Sequence, residues 1–226
     1  PDYDVVGFNI RTLIEKNYFV FLPDTVIDER GPGIAAMESI DKALDKLFMN
    51  RNINCSKVGL IGHSFGGYLT NFIATHSKRF ATYISGSGVS DIISSYFSFN
   101  YNFTGPHYWQ LETGQYRMNS SFADNKELYY RNNPIFNVEK ANAPILLWTG
   151  TKDENVVSQN TVELYLGLKR YNKNVIALFY PESGHDLSTN FSQMKDLNIR
   201  VLEWFDYFLK DKKGILWIEK QIEEDA

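Results

Sequence analysis

The stretch "GLIGHSFGGYLT", residues 59–70, constrains the fold of this chain more than any other. It runs from apolar residues into a glycine-flanked serine and then into helix-forming residues, the sequence form of a strand, a sharp turn and a helix. Glycines stand two before and two after Ser64. A nucleophile elbow needs that spacing, because the serine backbone is strained and flanking side chains would clash with the neighbouring strand and helix. The turn lifts the hydroxyl above a sheet, at the start of a helix whose dipole favours a developing negative charge. The N–H of Phe65 is then one oxyanion donor. A bare Gly-x-Ser-x-Gly pattern also arises by chance, so its surroundings decide.

Those surroundings alternate. The pattern predicts a helix over residues 8–15 and a buried strand over 18–22, stopped by Pro23. "DERGPG" is turn chemistry. Ile34, Met37, Ile40, Leu44, Leu47 and Phe48 then recur three or four apart, the stripe of an amphipathic helix. "KVGLIG" is a strand feeding the serine turn, "FGGYLTNFIATHS" a helix, and residues 82–85 a further strand. Beyond an interval come a strand over 144–149 and a helix with Ser158 as its N-cap. "NVIALFYPE" is the last strand. A closing helix places Ile199, Leu202, Phe205 and Leu209 on one face. Five strands alternating with helices predict an α/β fold, a mostly parallel sheet covered by helices on both faces. At 226 residues a single such domain is the simplest expectation. Residues 91–137 break the rhythm. They are aromatic, with Tyr96, Phe97, Phe99, Tyr101, Phe103, Tyr108 and Trp109, and read as an excursion or lid on the core.

Composition narrows the partners. A hydrophobic share of 43% supports a sizeable core, and a net charge of −4 gives no electrostatic case for nucleic acid. No apolar run approaches the ~20 residues of a membrane span. The single cysteine, Cys55, rules out an internal disulfide or a Cys-rich metal site. Sequons at Asn54, Asn102, Asn119 and Asn190 are too common by chance to indicate secretion. Neither compartment nor oligomeric state is legible. The start at Pro1, without Met, reads as a piece of something longer.

A parallel sheet presents its ligand at the carboxyl ends of its strands, so the loops after strands are where chemistry is expected. A serine hydroxyl needs a base. Of the four histidines, His63 adjoins the serine but is directed elsewhere by the elbow, a packing or supporting residue. His76 reads as a surface cap, and His107 lies in the aromatic excursion. His185 follows the last strand in "FYPESGHDLS", where Gly184 gives the loop freedom, and it is the expected base. Asp153, after the strand "APILLWTG", is the carboxylate expected to fix the imidazole tautomer, ahead of its neighbour Glu154 and of Asp186. The order Ser, Asp, His is that of α/β-hydrolases.

With these residues in place, the chain resembles the catalytic domain of the prolyl oligopeptidase family of serine peptidases. The resemblance runs from about Phe8 to Leu209. "GHSFGGY" looks like that family's elbow, with Gly67 and Tyr68 extending the basic pattern. "NNPIFNVEKANAPILLWTGTKDENVV" is similar to its segment leading to the acid and an Asn-Val pair, and "NKNVIALFYPESGHDLS" to its last strand and histidine loop. "GQYRMNSSFADNKELYYRNNPIF" looks like a branch found among bacterial oligopeptidases and glutamyl-specific relatives. The resemblance carries Ser64, Asp153 and His185 over as catalytic. It implies peptide-bond hydrolysis through an acyl-enzyme, without metal or cofactor, on short peptides admitted past an N-terminal β-propeller that is not in this sequence.

It also implies that the first strands of the sheet, with the second oxyanion donor, lie upstream of these residues, leaving the fragment weak or inactive by itself. In the resembling family the aromatic region contributes an apolar specificity pocket, for which Phe97 and Tyr101 are the candidates here; Arg117 would serve a glutamate-accepting pocket. Two other readings stay open at this point. A carboxylesterase needs the same triad, and a catalytically inactive hydrolase fold can serve as a binding module.

Overall fold

The computed structural model describes residues 3–223. In chain order its elements begin with α1 (Ile10–Glu15), α2 (Pro32–Leu47), β1 (Gly59–His63), α3 (Phe65–His76) and β2 (Thr82–Gly86). The interval that follows holds α4 (Ile92–Tyr96), β3 (Phe99–Asn100), β4 (Gly105–Pro106), α5 (Tyr108–Glu112), α6 (Lys126–Arg131) and a 3-10 turn over Pro134–Lys140. Regular structure resumes with β5 (Ile145–Gly150), α7 (Gln159–Arg170), β6 (Val175–Tyr180), α8 (Phe191–Leu209) and α9 (Leu216–Glu223). Strands β1, β2, β5 and β6 form one parallel sheet in that order, with Leu60 opposite Tyr83, Ile84 opposite Leu146, and Leu146 opposite Ile176.

Successive side chains of a strand point to opposite faces, and the two cores divide on that alternation. Tyr83, Ile145, Leu147 and Val175 enter a cluster with Ile40 and Leu44 of α2, Phe72 and Ile73 of α3, and Leu164 and Leu168 of α7. Their neighbours Ile84, Leu146, Trp148 and Ile176 enter another with Leu13 of α1, Leu197, Val201 and Trp204 of α8, and Ile218 of α9. The sheet is therefore covered on both faces, as its apolar, β-branched strands require. The stripe expected on α2 is the one that packs. On α8 the buried face is instead Leu197, Val201, Trp204 and Phe205, and Ile199 is exposed. Ser158 stands at the N-cap of α7, but its hydroxyl caps nothing.

The expected strand over residues 18–22 does not form, and the sheet has four strands among the described residues, not five. Its Tyr18 and Val20 pack on the core while Phe19, Phe21 and Leu22 are exposed, so residues 18–21 alternate like a strand without a ladder. The reason lies at β1. The carbonyl of Val58 accepts from Ala81 N–H (2.8 Å) and the N–H of Ser64 donates to Gly86 (2.9 Å). By alternation, the backbone groups of Gly59, Ile61 and His63 face away from β2, toward a free sheet edge. Between that edge and residues 17–25 lies an apolar cleft of about 510 Å³ with Leu44, Leu69 and Phe205 on its walls. Residues 18–22 stand across the cleft from β1 and pair with no strand among the described residues.

One residue ties the excursion to the core. The N-cap of α2 is Gly31, which has no side chain to cap the helix. Asn132, fully buried and about a hundred positions away, accepts from the N–H groups of Gly33 (3.0 Å) and Ile34 (3.2 Å) and donates to the carbonyls of Arg30 and Leu128. Replacing Asn132 by alanine would take the partner from all four groups, of which Gly33 N–H and the Leu128 carbonyl bond in the buried interior. We expect a loss of about 3 kcal/mol in denaturant unfolding; a loss under about 0.5 kcal/mol would contradict the role. Within residues 91–137 no α-helix exceeds six residues. Tyr68, Leu69, Ile92, Leu111, Tyr116 and Tyr129 form a third cluster that seats the excursion on α3.

Candidate active site

Ser64 sits between β1 and α3 with φ 58° and ψ −119°. A serine in that region of backbone space is strained by about 1–3 kcal/mol. The structure holds it there through the Ser64 N–H bond to Gly86 and through close approach at Gly62. A Cβ on Gly62 would fall 2.1 Å from the Gly66 carbonyl oxygen, and one on Gly67 2.6 Å from that of Gly86. Gly66 differs from the sequence expectation. Nothing lies within 4 Å of a Cβ built there, because Gly66 borders the open cleft beside β1. The N–H of Phe65, first residue of α3, has no acceptor among the described residues.

The loop after β6 brings His185 over the carboxyl ends of the strands. Its Nε2 lies 2.8 Å from Ser64 Oγ and its Nδ1 2.8 Å from Asp153 Oδ2. The Asp153 side chain is fully enclosed. Its other oxygen accepts from the backbone N–H groups of Asn155 and Val156, each at 2.9 Å. With the carboxylate committed as acceptor on all sides, the His185 proton sits on Nδ1 and the Nε2 lone pair faces the serine hydroxyl. The arrangement can take a proton from Ser64 and stabilise the imidazolium that results.

Glu154 is exposed, contributing its carbonyl to Asn102 N–H. Asp186 turns to Ser188, whose hydroxyl bond holds its carboxyl below the usual range. His63 packs between Trp148 and His185. His76 is half-buried, stacked on Phe72 and hydrogen-bonded to the Phe72 carbonyl rather than standing free at the surface. His107 is buried in the excursion.

Burial pushes the imidazoles of His63, His76 and His107 below their ordinary pKa. The unfolded chain binds protons at these groups below about pH 6.5 and the folded chain resists doing so. Stability is therefore expected to fall as pH drops below ~6.5, by up to about 1.4 kcal/mol per pH unit for each histidine. Melting temperatures between pH 8 and pH 5 read this directly, and a flat profile would contradict it.

The three candidate substrate contacts all lie in the excursion. Phe97 is 71% exposed, its ring against Tyr96 and Phe122, and Tyr101 is 62% exposed, against Phe99. Arg117 is exposed on a left-handed turn (φ 50°), with no ion pair among the described residues. None of the three hydrogen-bonds to or stacks on Ser64, Asp153 or His185. The aromatic group that does flank Ser64 is Phe65, edge-on to buried Tyr116 at 5.0 Å and tilted against Tyr68 at 5.9 Å. Asn100 also escaped sequence reasoning. It donates to Asn155 Oδ1 (2.9 Å) and to the Asn155 carbonyl (3.2 Å), bonding the excursion to the loop that carries Asp153. The Asn-Val pair after Asp153 was the only signal for it. Among the described residues, no helix is long and apolar enough to cross a membrane, and no group of three or more His, Cys, Asp or Glu residues could hold a metal.

Comparison with known proteins gives a consistent picture. A sequence profile described as the prolyl oligopeptidase family matches residues 30–212. The uncharacterized peptidase YuxL of Bacillus subtilis (strain 168) is 28% identical over 185 residues, 76% of this chain and 25% of its own. Acylamino-acid-releasing enzyme 2 of Oryza sativa subsp. japonica is 28% identical over 171 residues, 72% of this chain and 21% of its own. The chain thus spans about a quarter of the length of such curated relatives. Among solved structures, acylaminoacyl peptidase of Pyrococcus horikoshii superposes with a TM-score of 0.69 at 24% identity, covering 84% of this chain and 30% of that one. The fold shared with these structures is the α/β-hydrolase fold.

Proposed function

The chain belongs to the prolyl oligopeptidase family, and on that premise we propose that it is the catalytic domain of a serine peptidase acting on short peptides. The observation that carries the proposal is the unbroken relay from Ser64 Oγ through His185 to the enclosed Asp153, at 2.8 Å in each step. In this reading Ser64 Oγ attacks the scissile carbonyl carbon while His185 Nε2 takes the hydroxyl proton. The tetrahedral oxyanion is met by the N–H of Phe65. His185 then returns the proton to the leaving amine nitrogen as the C–N bond breaks, leaving an ester on Ser64. Water attacks that ester with its proton passing to Nε2, the acid product departs, and the proton returns to Oγ.

The second oxyanion donor and a β-propeller that screens substrates would be supplied by polypeptide outside these residues. Two facts support this: the chain spans a quarter of its relatives' length, and β1 has a free edge. Because one missing donor costs ~10²–10³ in rate, the 226 residues alone should turn over far more slowly than the full-length protein. The aromatic excursion would contribute the specificity pocket, with Phe97 and Tyr101 as its candidates and Arg117 where an acidic residue precedes the scissile bond.

A panel of chromogenic peptide amides, N-acylated and free, run beside simple esters tests the reading on the full-length protein. We expect amide cleavage that vanishes in Ser64→Ala. Cleavage of esters alone would make the protein a carboxylesterase, and cleavage of neither a binding module; both results overturn the peptidase reading.

A further inference from the structure

His63, the residue before the nucleophile, makes contacts that the reaction above does not use. It ends β1, so its side chain points to the face occupied by Trp148, and its ring stacks on that indole (centroids 5.3 Å apart, 12° between planes). Its Nε2 lies 2.7 Å from the backbone carbonyl oxygen of His185. A carbonyl only accepts, so Nε2 carries the proton and donates it. The rest of the loop is anchored on either side of His185, by bonds such as Glu182 N–H to Thr151 Oγ1 and Ser183 Oγ–H to Gln193 Oε1. Ser183 and Leu187 are held on either side, through Lys152 N–H to the Ser183 carbonyl and Leu187 N–H to the Val5 carbonyl. Among the described residues, the bond from His63 is the one made to the main chain of His185 itself.

We infer that His63 is a positioning residue for the general base, a neutral imidazole that clamps the His185 backbone so that its ring spans Ser64 and Asp153. The inference rests on the peptidase reading of those three residues. Stacking on Trp148 fixes the plane of the clamp, and the bond to the carbonyl fixes its reach. The ring of His63 lies 4.7 Å from that of His185, so a charged His63 would oppose the imidazolium formed in each turnover. The titratable groups facing it are His185, Asp153 and Asp186. Burial and the neighbouring His185 both favour its neutral form.

Two variants separate the clamp from simple packing. His63→Phe keeps a ring to stack on Trp148 and loses the donor. His63→Gln loses the ring but can place an amide N–H near the same carbonyl. In the full-length protein, His63→Phe is expected to lower kcat about 30-fold with KM changed less than about 2-fold, and to slow fluorophosphonate labelling of Ser64 in proportion. His63→Gln is expected to recover most of that loss. In the 226-residue chain, the downfield proton NMR signal of the His185 Nδ1–H bonded to Asp153 should broaden in the Phe variant and persist in the Gln variant.

Equal rates in wild type and His63→Phe, or equal losses in both variants, would overturn the inference. If wild-type Ser64 took no label, the catalytic reading would fall, and the NMR signal would still decide whether His63 holds His185. A signal unchanged in His63→Phe would sink the clamp.

Discussion

Replacing Ser64 by alanine is expected to remove about 10⁶ from kcat, the scale seen when a triad nucleophile is lost. The fold should survive. The backbone at Ser64 is held by its N–H bond to Gly86 and by the packing of Gly62 and Gly67, neither of which needs the hydroxyl. Alanine meets the same left-handed strain as serine and gives up only the bond to His185 Nε2. The melting temperature should therefore move by no more than about 3 °C while activity disappears. Loss of both together would point to a structural serine; retention of both would exclude Ser64 from the chemistry.

The second large effect is expected at Asp153. In Asp153→Asn the two backbone N–H groups of Asn155 and Val156 still demand an acceptor, so the amide oxygen takes the place of Oδ1. The amide nitrogen then faces His185 Nδ1, which must become an acceptor. That forces the proton onto Nε2, where it points at Ser64 and cannot accept the hydroxyl proton. We expect kcat to fall about 10⁴-fold with little change in KM, the cost of holding the wrong tautomer in an otherwise intact triad. Asp153→Ala should cost stability as well, since it strands two N–H groups against an enclosed cavity. Kinetics and unfolding of the two variants side by side check this. An Asn variant within 10-fold of wild type would mean that Asp153 does not set the tautomer.

What the sequence disclosed and what it hid follow one rule. That Ser64, Asp153 and His185 meet was legible because each follows an apolar strand run, and a parallel sheet sends such loops to one end. The elbow was legible because Gly62 is forced by an atom four residues away, a local constraint that composition records. Residues 18–22 carry every local mark of a strand and still form none, because a ladder needs a neighbour and the free edge of β1 stands across a cleft. In α8, Ile199, Leu202, Phe205 and Leu209 fit the helical period as well as Leu197, Val201, Trp204 and Phe205 do, so the period alone could not say which stripe meets the sheet. Gly66 looked like a steric necessity and is not one beside that cleft. The contacts of Asn132 with α2, of Asn100 with Asn155, and of His63 with the His185 carbonyl join residues 55 to 122 positions apart. No periodicity announces contacts of that kind.

The central claim is that Ser64 is an activated nucleophile, and a fluorophosphonate probe tests it most directly. The 226-residue chain, the longer full-length protein proposed above and the Ser64→Ala variant of each would be exposed to the probe and the adduct mapped by mass spectrometry. The account predicts a single adduct on Ser64, faster in the full-length protein and absent from both variants. Full-length protein that carries no adduct on Ser64 would contradict it.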